Sequence, residues 1–115
     1  MASRHTDADG QHPKHTFFYP EEEYRVEHLD KIARLCHDGF GELEVHLHHE
    51  NDTAEGLKEK LVRFCQLLRN EHGALSTWPG SSELAWGFIH GNWTLDNSAP
   101  DGSWCGVNNE IQVLA

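Results

Sequence analysis

The chain is poor in cationic residues, in pairable cysteines and in long apolar runs, and each shortage closes off a class of function. Nine Lys and Arg stand against nineteen Asp and Glu among 115 residues, for a formal charge of −10. Phosphate backbones bind through clustered positive charge, so nucleic acid is not an expected partner. No stretch approaches the roughly 18 apolar residues that span a bilayer, so no membrane partner is expected either. Three cysteines, Cys36, Cys65 and Cys105, are an odd number at long spacings. They suit neither a disulfide framework nor a CxxC zinc pair. Reduced thiols, together with an N-terminus, MASRHTDADGQHPKH, that lacks the apolar core of a signal peptide, read as cytoplasmic.

What the chain does contain is enough for one small domain. Apolar residues make up 37%, and with ten glycines they approach the roughly 45–50% usual for globular chains. Ten histidines are the distinctive feature, because imidazole titrates near neutrality and is a common metal ligand.

Residues 1–15 are polar, with Gly10 and Pro13, and read as a flexible lead-in to an α/β segment over 16–115. Thr16-Phe17-Phe18-Tyr19 is a short β-prone run. Pro20 then suits the first position of a helix, with Glu21, Glu22 and Glu23 in its first turn. Leu29, Ile32, Ala33 and Cys36 give that helix one apolar face, and Gly39 can cap it. From Glu42 to His48 the period becomes two: Leu43, Val45 and Leu47 point one way, Glu44, His46 and His48 the other. Asp52-Thr53-Ala54-Glu55 has the form of a capping box. It opens a second helix on Leu57, Leu61, Phe64, Cys65 and Leu68, closing at Gly73. Residues 76–82 read as a loop and 83–90, ELAWGFIH, as a third strand, followed by a polar loop and one helical turn from Glu110.

Alternating strands and helices call for parallel strands joined by right-handed crossovers, an α/β layer architecture. The expected fold is a parallel βαβαβ segment. Three strands leave sheet edges exposed, so the segment reads as part of an incomplete (β/α) barrel, or as a unit whose edges a homo-oligomer covers.

In such folds chemistry gathers at the carboxyl ends of the strands. His46 and His48 project there from one face and suit zinc, iron, nickel or copper as ligands. Glu44, one step deeper, can orient an imidazole or carry a proton. His49 points to the opposite side of a regular strand and joins the metal set only where the strand ends or bulges. His90 ends the third strand and is expected to reach the same cleft, as a third ligand or a general acid/base. Asn92, Trp93 and Trp104 read as substrate contacts, the indoles as stacking surfaces for a sugar ring. Asp96 and Asp101 read as turn formers. His12, His15, His28, His37 and His72 lie away from the strand tips and read as solvated. Cys105 has no base at a readable spacing for a nucleophilic role.

The phrases GELEVHLHHENDTAE, GFIHGNWTLDNS and GSWCGVNNEI, with HTFFYPEEEY upstream, resemble a polysaccharide-deacetylase-like family of the glycoside hydrolase/deacetylase (β/α)-barrel superfamily. The resemblance covers about residues 6–115. It implies a divalent metal, commonly zinc, held by one Asp and two His, and hydrolysis of the C–N bond of acetylated amino sugars by a metal-activated water. The resemblance places the superfamily's histidine motif at His46, His48 and His49, although HLHH does not reproduce the usual pair separated by three residues. The strand that carries its aspartates has no counterpart here, so the resemblance implies a piece of a larger barrel. The expected function is therefore a metal-dependent carbohydrate deacetylase, or a fragment of one, acting on a carbohydrate or other small molecule. The alternatives are an amidohydrolase-like metal enzyme, and a binding or oligomerising fragment without turnover.

Overall fold

The computed structural model describes residues 2–115. Its centre is β2 (Gly41–Leu47), flanked by β1 (His15–Pro20) on one side and β5 (Phe88–His90) on the other. Both pairings are parallel, with Tyr19 beside Val45, Val45 beside Phe88 and Leu47 beside His90. The α/β expectation and the parallel sheet both hold. The three strands form an open sheet, not a closed barrel.

α1 (Val26–His37) and α2 (Ala54–His72) make the two crossovers. Leu43, Val45 and Leu47 lie at 0–3% exposure against Leu29 of α1 and Leu57, Leu61, Phe64 and Leu68 of α2. The alternation read from the sequence therefore has a physical basis: one side of β2 is covered by helices, while Glu44, His46 and His48 stay accessible to varying degrees on the other. The sheet thus has a helix side and an open side.

Three boundaries differ from expectation. Pro20 ends β1, and Glu21–Glu23 make a single 3-10 turn, so α1 starts later, at Val26. The intervening Tyr24 is drawn out of helical geometry by tertiary contacts: its ring packs on Phe64 and its hydroxyl hydrogen-bonds His72 at 2.9 Å. The third strand is broken, because Leu84–Ala85 (β4) pairs back antiparallel on Ser76–Thr77 (β3) and only β5 joins the main sheet. At the second helix Thr53 is the cap residue, its hydroxyl accepting from the Gly56 amide at 3.0 Å. The helix ends on Gly73 at φ 62, a left-handed cap that glycine adopts without a Cβ penalty. The chain finishes in α3 (Glu110–Leu114), packed on α2.

Candidate functional site

The sheet divides the histidines into two groups. Parallel pairing places neighbours in register on the same face, so His90, beside Leu47, faces the helix side, whereas His46, beside Ile89, faces the open side. His90 does not share a cleft with His46 and His48, contrary to the expectation from the sequence.

On the open side the rings of His46 and His48 lie 4.7 Å apart between centroids, at 84° to one another. His46 Nδ1 donates to the Ile89 carbonyl at 2.7 Å. His48 Nδ1 donates to the Glu22 carboxylate, which also receives the His48 backbone N–H at 3.3 Å. With both Nδ1 atoms committed as donors, each neutral ring carries its lone pair on Nε2. Glu44 sits one step deeper and accepts the Gly87 amide at 2.5 Å. Burial pushes its carboxyl above the ordinary range, an effect the Gly87 amide only partly offsets.

On the helix side a second group forms that sequence reasoning did not assemble. Glu110, 1% exposed at the first turn of α3, takes hydrogen bonds from His49 Nε2 at 3.0 Å and from His90 Nδ1 at 2.5 Å. The Cys105 thiol lies 3.4 Å from the same carboxylate and 3.2 Å from the Val107 carbonyl. Burial alone would raise the Glu110 pKa, but the bonds from His49 and His90 outweigh it and hold the group below the ordinary value. Burial pushes the Cys105 thiol up. Ligand atoms of His49, Cys105 and Glu110 all lie within 4.8 Å of one another, a spacing that a single metal ion could bridge.

The loop over 91–109 closes on this cluster. Asn92 Nδ2 donates to the backbone carbonyls of His49 and of Trp104, the latter at 2.7 Å, so Asn92 is a brace between loops in this structure. Trp93 is 89% exposed and Trp104 49%, leaving the first largely in solvent and the second half-buried. Asp96 and Asp101 each accept a backbone amide two residues on, as turn formers do. His72, expected to be solvated, is 6% exposed and sits between Asp30, 3.1 Å away, and Tyr24.

Glu110 was missed because a carboxylate at a helix start reads as a response to the helix dipole, and its partner His49 is 61 residues away in sequence. The available signal was parity: His49 and His90 share the buried side with Leu47. Comparison of the chain with protein-family models, with curated proteins and with solved structures returns no match.

Proposed function

We propose that the chain is a metal-dependent hydrolase of the carbohydrate-deacetylase type, or the metal-bearing segment of one. The observation that carries this reading is the fixed tautomer of His46 and His48. An imidazole that ligates a metal through one nitrogen commonly donates its other N–H to a carboxylate or a backbone carbonyl. Here Glu22 and the Ile89 carbonyl fill those two roles, on adjacent rings, at the carboxyl ends of parallel strands.

His46 and His48 would hold the ion through Nε2. A bound divalent ion, with zinc the best match to paired imidazoles, supplies Lewis acidity that acidifies water and polarises an amide carbonyl. Glu22 keeps the His48 ring in its ligating orientation. Glu44, held above the usual carboxylate range on the same face, is suited to carry the proton passed between water and the leaving amine. The exposed Trp93, in the loop that follows β5, offers an apolar platform for a sugar ring.

The test is calorimetric titration with zinc together with acetate release from N-acetylglucosamine oligomers, in the unsubstituted chain and in His46→Ala/His48→Ala. The expected result is one more exchangeable zinc equivalent in the unsubstituted chain than in the double variant, and acetate release that the double variant lacks. Equal zinc binding by the two proteins would overturn the site. Zinc binding by the open-side pair without acetate release would favour the binding fragment over the hydrolase.

A further inference from the structure

We infer that the helix-side cluster of His49, Cys105 and Glu110 is a second, closed metal site, selective for zinc-like ions, whose role is to clamp the 91–109 loop and α3 onto the sheet. This goes beyond the open-side pair and does not depend on it, since the two groups lie on opposite faces and share no ligand.

The donor set defines the ion. One imidazole nitrogen, one thiol sulfur and one carboxylate oxygen converge within 4.8 Å of one another. Calcium and magnesium select oxygen-only cages, whereas a mixed nitrogen, sulfur and oxygen set suits zinc and its cobalt surrogate. The charges also fit: a thiolate and a carboxylate around a dication, with His49 neutral, make a buried site with no net charge. A buried charge without compensation would cost several kcal/mol. On binding, the Cys105 proton leaves to solvent and the sulfur–metal bond takes its place, so each ion bound displaces at least one proton.

Hydrogen bonding alone leaves this cluster incomplete. Among the described residues, His49 Nδ1 and His90 Nε2 are buried atoms with no hydrogen-bond partner. The His49 side chain is wholly buried and that of His90 is 7% exposed. Asp52 Oδ2 is 3.4 Å from His49 Nδ1 without hydrogen-bonding to it, and it is already engaged by Lys60 at 2.8 Å. Cys105 has one thiol hydrogen and two acceptors within reach. A cation resolves the competition by taking one lone pair each from His49 Nε2, Cys105 and Glu110: it displaces the Nε2–H bond to Glu110, and the ring proton moves to Nδ1, which faces Asp52 at 3.4 Å. His90, bonded to Glu110 through Nδ1, then orients the carboxylate without being a ligand.

The placement explains what the ion would do. The three ligands come from the β2–α2 turn, from the 91–109 loop, which has no helix or strand of its own, and from the first turn of α3. Gly106, at φ 94, is pressed so closely against this turn that a Cβ there would lie 2.1 Å from the Asp52 amide nitrogen. Ligand side chains at or near zero exposure match a structural site, which is closed, better than a catalytic one, which keeps a position open.

The test is zinc-edge X-ray absorption on the full chain loaded with two equivalents of zinc, enough to fill the open-side pair as well. The expected spectrum contains one sulfur at about 2.3 Å among nitrogen and oxygen scatterers. That sulfur should persist in His46→Ala/His48→Ala, and in Cys36→Ser and Cys65→Ala. A coordination sphere of nitrogen and oxygen alone in the unsubstituted chain overturns the site, as does loss of the sulfur on replacing Cys36 or Cys65. Because the open-side pair offers no sulfur, failure here and failure of the hydrolase reading give different results. Chelation of the ion is expected to lower the thermal midpoint, and an unchanged midpoint would remove the clamping role.

Discussion

Single side chains in this protein are governed by burial first and by sequence neighbours second. The three thiols show it. Cys65, in the core against α2 neighbours, is pushed up to about 12 by burial, with the Glu44 charge adding to the effect. Cys105 is fully buried, and only Cys36 is partly exposed, its thiol also raised by burial and by Glu42. Thiolate is the reacting species, so a raised thiol pKa means that less of it is present at any given pH below that value. Under native conditions at pH 8, one equivalent of thiol, Cys36, should react with an aromatic disulfide reagent, more slowly than a free thiol and faster as pH rises. Cys65 and Cys105 should react only on unfolding, and a second fast equivalent in the folded chain would refute this account. The exposure of these groups could be read from spacing for one of them alone. Cys65 falls on a helical apolar stripe and was legible as core, whereas Cys105 lies in an irregular loop whose burial depends on His49 and Glu110, far off in sequence. His72 was misread for the same reason: its place at a helix end suggests solvent, but Tyr24 and Asp30 close over it.

At the scale of elements, local signals located the segments and tertiary contacts set their limits. The box Asp52-Thr53-Ala54-Glu55 correctly marked the start of α2, yet its members divide the work differently from the sequence pattern. Thr53 caps the helix, while Asp52 accepts the Thr53 amide at 2.8 Å and the Lys60 ammonium at 2.8 Å. Those bonds outweigh the effect of burial and hold Asp52 below its ordinary pKa. Thr53→Ala is therefore expected to cost about 1 kcal/mol, and Thr53→Ser to keep most of the cap. Urea denaturation of the three proteins measures this directly, and a Thr53→Ala midpoint equal to the parent's would show that the hydroxyl is not the cap that matters. The division of ELAWGFIH into β4 and β5 was not legible, because Leu84, Trp86, Phe88 and Ile89 carry an apolar, β-prone pattern across the whole stretch. What separates them is Gly87, whose amide donates to the Glu44 side chain and whose carbonyl accepts from Val45. Two residues of the central strand thus hold the point at which the chain changes sheet.

The whole molecule is organised around β2, among the described residues the only strand of the main sheet paired on both sides, and the one whose buried side packs against both long helices. Its apolar alternation made the βαβαβ order legible, and the same alternation assigned the histidines to faces. The side chosen by α3 was not legible, because a helix of five residues carries too short a pattern to identify the surface it covers. This organisation implies a gradient of local stability, since opening β2 breaks two ladders and uncovers the core, whereas opening the β3–β4 pair breaks two residue pairings. Amide hydrogen exchange should therefore be slowest for β2 and for the stretch of α2 from Leu61 to Leu68, intermediate for β1 and β5 at the sheet edges, and fastest for β3 and β4. If the ion clamp holds, zinc should slow exchange in 103–114 more than in β1, because its ligands Cys105 and Glu110 lie in that segment while β1 contributes none. Exchange at β3 and β4 as slow as at β2 would mean that the small hairpin belongs to the main cooperative unit, and the stability order argued from the sheet would have to be reversed.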